Sequence, residues 1–165
     1  MTNRIVKSIL VLGFGIYVML VAFNNIDDYN SNYQFVKHVL SMDTTFPGND
    51  GIYRSIPSGA FHSLAYLLII ATEVAISATL LVAASMMARG VAKAPHLYLK
   101  GKSAATLGLG LAFALWFIGF IAIGGEWFLM WQSQTWNGIA TSFNIVEVAL
   151  IILLFVTAAP DDFQQ

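Results

Sequence analysis

The chain has 165 residues, of which 58% are hydrophobic and only 10% are charged, with eight basic and nine acidic side chains. Soluble domains usually carry about 25% charged and less than 50% apolar residues, so this composition excludes an ordinary soluble domain, a disordered chain, a coiled coil and a nucleic-acid-binding protein. Cysteine is absent, which excludes disulfides, thiolate metal sites and iron–sulfur clusters.

Four segments of the chain are long and apolar enough to cross a bilayer. They run from about residue 5 to 23, 60 to 88, 104 to 125 and 139 to 159. A soluble protein could bury one such segment, but four of them in 165 residues leave too little chain to cover them with polar surface. The sequence therefore predicts an all-α polytopic membrane protein, an antiparallel bundle of four transmembrane helices that forms a single domain over residues 1–165.

Basic residues predict the orientation of this bundle. The first span lacks an A-x-A-like cleavage site, so we expect it to be retained as a helix and not cleaved as a signal peptide. Six basic residues fall on the side of both termini, namely Arg4, Lys7, Arg89, Lys93, Lys100 and Lys102. Only Lys37 and Arg54 fall on the other side. The positive-inside rule then places both termini in the cytoplasm and the segments 24–59 and 126–138 outside, which in a bacterium is the periplasm.

The outer loop of residues 24–59, between the first two spans, is too long and too patterned for a simple connector. Asn32 or Ser31 is predicted to cap a short helix from Tyr33 to Met42, whose apolar residues would pack against the bundle or the membrane interface. An extended turn is expected after it, at the sequence TTFPG. The prediction is therefore a structured outer loop.

Polar residues share one face in two of the predicted spans. In the second span these are His62, Tyr66, Glu73 and Ser77, and in the fourth they are Asn137, Asn144 and Glu147. A charged residue at mid-bilayer costs about 2.5–3.5 kcal/mol, so we expect Glu73 and Glu147 to avoid lipid and to hydrogen-bond to these polar neighbours or to each other. Two roles stay open for this intramembrane polar site: a proton relay or small-solute path, and hydrogen bonds that hold the helices together.

The third span carries a stripe of small residues. Ala105, Gly108, Ala112 and Gly119 fall within about 60° of one another at 100° per residue. Small residues let helix backbones approach closely in a membrane. The stripe predicts close packing within the bundle or, alternatively, a contact between copies of the chain.

The second outer segment holds three of the four tryptophans. Its candidate residues are Glu126, Trp127, Trp131, Gln132, Trp136 and Asn137. This composition is typical of an aromatic belt at the membrane boundary, and it also fits a docking surface for a partner. His38 and His62, with Asp43 and Glu126 as neighbours, could bind zinc or non-haem iron, although their spacing matches no metal motif. No catalytic motif is present, so no catalytic residue is assigned and no cofactor is expected.

Both outer segments carry distinctive motifs. They comprise Asn24-Asn25, Asp28-Tyr29, Asn32, Phe35-Val36-x-His38-Val39-Leu40-Ser41-Met42-Asp43-Thr44-Thr45-Phe46, Glu126-Trp127-Phe128-x-Met130-Trp131-Gln132-Ser133 and Trp136-Asn137-Gly138, with His62 and Glu73 between them. This pattern resembles a bacterial family described only as predicted small integral membrane proteins of unknown function. The resemblance covers nearly the whole chain and implies a four-helix protein of the bacterial inner membrane, but no activity.

Three functions are compatible with these features. The favoured one is a non-enzymatic accessory, assembly or scaffold protein that docks partners through its outer loop and tryptophan-rich segment. The second is a proton-linked transporter or channel subunit that uses Glu73 and Glu147. The third is an outer-face module that binds a metal or a quinone around His38, His62 and Glu126. The expected partners are the lipid bilayer and either another membrane protein or a second copy of the chain, but no nucleic acid.

Overall fold

The computed structural model describes residues 1–92 and 94–161, so the predicted cytoplasmic residue Lys93 lies outside the described residues. Within this part of the chain there are five helices: α1 Thr2–Asp27, α2 Tyr29–Ser41, α3 Gly59–Gly90, α4 Pro95–Trp127 and α5 Ile139–Ala158. α4 is α-helical over Pro95–Phe113 and π-helical over Ala114–Trp127. Short 3-10 turns lie at Asp50–Arg54 and Met130–Gln132.

Four of these helices, α1, α3, α4 and α5, are long and apolar enough to span a membrane, which confirms the predicted four-helix membrane bundle. The predicted segments agree with the observed helices except at the polar ends. α4 begins at Pro95, nine residues before the predicted start at residue 104. Lys100 and Lys102 interrupt the apolar run there but not the helix, and a proline is well suited to a first helical turn.

The four spanning helices pack in the order α1, α3, α4, α5. α3 lies between α1 and α4 and makes the most extensive contacts with both, while α5 packs mainly on α4 and meets α1 more loosely. Completely buried apolar side chains fill the centre of the bundle, among them Val11, Val18, Ile76, Leu80 and Leu109. The sides of the bundle are covered with exposed large apolar residues, as the lipid-facing surface of a membrane protein requires.

Small residues allow α4 to approach α3 closely. A Cβ atom added to Gly101 would lie 2.8 Å from the backbone oxygen of Ala83, so the two backbones are nearly in contact. Gly108 is buried against α3, and Ala105 and Ala112 are buried beside it, which confirms the predicted packing stripe at those positions.

The predicted stripe is wrong at Gly119. α4 becomes π-helical at Ala114, and a helix with i→i+5 hydrogen bonds advances by less than 100° per residue. The α-helical phase therefore no longer applies five residues further on. Gly119 is partly exposed, and only Leu115 comes within 4 Å of a Cβ added there.

The connections on one side of the bundle form a folded layer. We define the cap as residues 28–58 and 126–138, and the cap side as this end of the bundle. α2 begins at Tyr29 directly after α1, where Asp28 breaks the helix with φ −103° and ψ 57°. The predicted capping role of Asn32 or Ser31 is wrong, because both lie inside α2. The start of α1 and the segment directly after α5 lie at the opposite end, which we call the terminal side. There the Asn3 side chain donates a hydrogen bond to the Pro160 carbonyl over 3.3 Å.

Candidate functional site

The two segments of the cap are joined by polar contacts between side chains and backbone. The Thr44 hydroxyl donates to Ser133 Oγ over 2.8 Å, and the Phe46 N–H donates to Gln132 Oε1 over 2.9 Å. Gln132 and Ser133 are both buried. The long outer loop is therefore held on the tryptophan-rich segment without any disulfide.

A tight local fold presents these groups. Leu129 has a left-handed φ of 55°, and the chain then turns through Met130–Gln132. After the turn, Ser133 Oγ accepts hydrogen bonds from the backbone N–H groups of Thr135 and Trp136, at 3.3 Å and 2.9 Å. A serine hydroxyl often replaces a backbone partner in this way. Trp136 is consequently fixed within the cap, where it packs on Phe35 and His38 of α2, while Trp131 points outward with 47% of its surface exposed.

Each histidine of the predicted metal site has its own partners. His38 Nδ1 lies 2.8 Å from Asp43 Oδ2, and its ring stacks on Trp136 with centroids 4.7 Å apart. His62 is buried, and its Nε2 lies 2.7 Å from the Ile56 carbonyl oxygen. Glu126 is exposed. Among the described residues, no three His, Cys, Asp or Glu side chains lie close enough together to hold a metal ion.

Two of the predicted intramembrane polar residues come together with a third that the sequence analysis did not assign to this site. Glu73 is 1% exposed, and its Oε2 accepts a 2.7 Å hydrogen bond from Asn25 Nδ2. Tyr66, which is equally buried, donates from its hydroxyl to the Asn25 carbonyl oxygen over 2.7 Å. Asn25 thus joins the end of α1 to α3 through both its side chain and its backbone. Ser77 Oγ instead donates to the Val74 carbonyl in its own helix.

The other predicted members of that site lie elsewhere. Asn144 and Glu147 are both exposed on α5, away from the bundle interior. The expectation that Glu147 avoids the lipid-facing surface is therefore wrong within the single chain. Neither an ion pair nor a hydrogen bond links Glu147 to Glu73 in the described part of the chain. The error has a simple cause, since helix phase places residues on a face but does not tell which face meets the neighbouring helix.

Several aromatic side chains remain exposed on the surface of the cap. Phe46 and Trp131 pack edge to face with centroids 5.8 Å apart, and each exposes about half of its surface. The Arg54 guanidinium lies 4.9 Å from the Trp127 ring and 5.4 Å from the Tyr53 ring. We call these five residues the aromatic patch. Phe46, Tyr53 and Arg54 belong to the loop after α2, a contribution that the sequence analysis did not identify.

An apolar cavity of about 250 Å³ lies below the cap, between α2, α3 and the π-helical part of α4. Its walls include Phe35, Leu40, Ile69, Phe120 and Met130. A quinone needs polar groups that bind its carbonyl oxygens, as ligand sites generally place a few polar groups among apolar ones. Every residue that lines this cavity has an apolar side chain or is glycine, so it does not fit a quinone headgroup.

The terminal side contains a buried ion cluster. Lys7 is completely buried in α1, and its Nζ donates to Asp161 Oδ1 and to the Ala159 carbonyl, both over 2.6 Å. Lys102 Nζ lies 2.5 Å from Asp161 Oδ2. Burial alone would raise the pKa of Asp161, but hydrogen bonds and charges from Lys102 and Lys7 outweigh it and hold that pKa below its usual value. The segment after α5 is thereby fastened to α1 and α4.

Comparison with known proteins places this architecture in a family. The family model described as "Predicted small integral membrane protein (DUF2165)" matches residues 3–159. The chain belongs to this family. The match covers all four spanning helices and the cap, which confirms the resemblance seen in the sequence. No curated protein and no solved structure matches the chain. Membership in DUF2165 supports a multi-pass protein embedded in a lipid bilayer.

Proposed function

We propose that this DUF2165 protein is a non-enzymatic accessory, assembly or scaffold protein that docks another membrane protein through its cap. The observation that carries the proposal is the aromatic patch. Tyr53 exposes 76% of its surface and Trp127 exposes 52%, on a cap whose segments are otherwise held together by buried polar contacts.

The composition and rigidity of the patch both favour docking. Tryptophan, tyrosine and arginine are the residue types that contribute most binding energy at protein interfaces. The contacts of Thr44 and Gln132 hold the segment of Phe46 on the segment of Trp131, which lowers the conformational entropy that these two residues lose when a partner binds. A suitable partner presents apolar side chains to the rings and a carboxylate to Arg54.

We further propose that the protein lies in the inner membrane of a bacterium, with both termini in the cytoplasm and the cap in the periplasm. The support is the distribution of basic residues, since Arg4, Lys7, Arg89, Lys100 and Lys102 all belong to the terminal side. The cap contributes only Lys37 and Arg54. Under the positive-inside rule this asymmetry orients the bundle.

Neither alternative function has comparable geometric support. A proton path through Glu73 and Glu147 needs polar groups between them, yet one carboxyl is buried against α1 and the other is exposed on α5. A metal module needs His38, His62 and Glu126 to converge. Each histidine is instead paired with a different group, Asp43 in one case and a backbone carbonyl in the other.

Site-specific photocrosslinking in native membranes tests the docking role. A photoreactive aromatic residue at Trp131 should give one discrete crosslinked product with another protein, which mass spectrometry then identifies. The matched control is the same residue at Phe23, which is also an exposed aromatic side chain, with 57% of its surface accessible, but lies on α1. Trp131→Ala combined with Phe46→Ala should release the partner while the bundle stays folded. Crosslinking from neither position, or equally from both, would contradict docking through the patch.

A further inference from the structure

One exposed face of α5 carries the two most polar side chains of that helix. Its residues are Ala140, Asn144, Glu147, Ile151 and Leu154, which we call the α5 seam. At 100° per residue they fall within about 80° of one another. The buried residues of the helix, such as Ala149 and Val156, lie on the opposite side. The centre of the seam therefore points away from the bundle, while Asn144 and Ile151 at its edge border the grooves between α5 and α1.

Glu147 lies deep in the span. It is eight residues from Ile139, or about 12 Å along the helix axis, and eleven residues from Ala158, or about 16 Å. The hydrocarbon core of a bilayer is about 30 Å thick, so neither interface is within reach of a glutamate side chain. An ionisable group in this position is unfavourable by about 2.5–3.5 kcal/mol when it faces lipid.

Glu147 has no hydrogen-bond or ion-pair partner in the described part of the chain. None of the hydrogen bonds or ion pairs among the described residues involves its carboxyl group, and the same holds for the Asn144 side chain one turn away. The basic residues that belong to the bundle, such as Lys7 and Lys102, lie at the terminal side and are paired with Asp161. These observations favour a group from outside the described chain as the partner of this face.

We propose that a second copy of the chain packs on the α5 seam, with the two α5 helices parallel about a two-fold axis along the membrane normal. All copies in one membrane share one orientation, so this symmetry places each Glu147 at the depth of its counterpart, with the Asn144 residues one turn away. A protonated carboxyl group and an amide each have a donor and an acceptor, so these four side chains satisfy one another. Another protein would need a matching polar group at this depth.

The spacing of the seam also fits a helix pair. Successive seam residues are separated by four, three, four and three positions, from Ala140 to Leu154. This is the heptad pattern of two helices that cross at about 20° and interlock their side chains. Ile151 and Leu154, which are 65% and 64% exposed, would supply the apolar contacts on the terminal side of Glu147. The interface is distinct from the cap, so it does not depend on the proposed docking role.

The absence of cysteine makes single-cysteine crosslinking an unambiguous test. Ile151→Cys should form a disulfide-linked dimer when native membranes are oxidised, and co-expression of two tagged forms should give dimers that contain both tags. Val148→Cys is the matched control, because it is 48% exposed on the same helix but is turned about 80° from the centre of the seam. Leu107→Cys, 60% exposed on α4, is a second control. The proposal is overturned if Ile151→Cys forms no disulfide-linked dimer, or if the control variants form as much of it.

Substitution of Glu147 provides an independent measurement. Glu147→Gln keeps a donor and an acceptor and should preserve the dimer, whereas Glu147→Leu should weaken dimerisation by roughly tenfold because interhelical hydrogen bonds are lost. Neither variant endangers the fold, since the position is exposed in the single chain. Förster transfer between labelled copies in liposomes, measured at decreasing protein-to-lipid ratios, gives the two affinities. If Glu147→Gln and Glu147→Leu dimerise with equal affinity, or if neither variant dimerises, hydrogen bonding across the seam is refuted.

Discussion

The close approach of α4 to α3 predicts a large loss of stability from a single methyl group. In Gly101→Ala the new Cβ would lie 2.8 Å from the Ala83 carbonyl oxygen and 2.8 Å from the Met87 backbone nitrogen. Carbon atoms in ordinary contact are about 3.5–4.0 Å apart. Both of these atoms belong to the backbone of α3, so no side-chain rotation can relieve the clash. The two helices must separate, and the contacts along their interface weaken.

The size of the effect follows from comparison with overpacked cores. Overpacking typically costs 1–3 kcal/mol, and a backbone obstacle places Gly101→Ala near the upper end, at about 2–3 kcal/mol. At about 2–4 °C per kcal/mol for a chain of this size, the midpoint of thermal unfolding should fall by roughly 4–12 °C. Gly108→Ala should lower the unfolding midpoint by less, because its Cβ would meet the Leu80 side chain, which can adjust in part.

Gly110→Ala is the matched control, since it lies in the same helix with nothing within 4 Å of the added Cβ. Alanine is favoured over glycine in a helix by about 0.5–1 kcal/mol, so this variant should be as stable as the wild type or slightly more stable. Thermal unfolding of the three purified variants in one detergent ranks their stabilities directly. Two results would contradict this reasoning: Gly101→Ala unfolds at the wild-type temperature, or Gly110→Ala lowers the unfolding temperature as much as Gly101→Ala does. In either case, backbone contact does not determine the packing of α3 on α4.

Two further predictions concern the terminal side and the cap. Asp161→Asn should lower the unfolding midpoint near pH 7, because removing the carboxylate leaves buried Lys7 without its counter-charge, at a cost of about 3 kcal/mol. Since the pKa of Asp161 is lowered in the fold, its contribution is complete above about pH 4 and is lost as the pH falls through that pKa, so the difference from wild type should disappear in acid. Gln132→Ala should speed tryptic cleavage at Arg54, because a backbone N–H of the loop loses its acceptor. Exposed Gln134→Ala should leave the cleavage rate unchanged.

The spans could be predicted from the sequence because they depend on hydropathy, which adds up residue by residue along the chain. An apolar run of about 20 residues identifies a membrane helix whatever its neighbours are. Helix ends depend on local backbone chemistry instead, and there the predictions were less accurate. α2 starts at Tyr29 because Asp28 breaks α1, while the polar side chains of Ser31 and Asn32, which suggested a cap, lie inside the helix.

The partners of polar residues were harder to predict, because they depend on how the helices are rotated about their axes. The stripe that contains Glu73 faces the bundle, and Asn25 meets it from the end of α1, far away in sequence. A single asparagine near a helix end carries no signal that it will bind a glutamate 48 positions later. The ion cluster was missed for a similar reason, since Asp161 and Lys7 are 154 residues apart.

The position of Glu147 depends on more than the helix that carries it. A carboxyl group in lipid is costly, which is why the sequence predicts that Glu147 avoids the lipid-facing surface. The further assumption that a neighbouring helix of the same chain covers it does not follow, because burial in a membrane is a property of the whole assembly. The cost in lipid and the exposed position of Glu147 are compatible in the proposed dimer, where the second copy covers α5. The same assumption holds for Glu73, whose carboxyl group accepts a hydrogen bond from Asn25 within the chain. In the proposed dimer, one glutamate therefore stabilises the fold and the other stabilises the contact between copies.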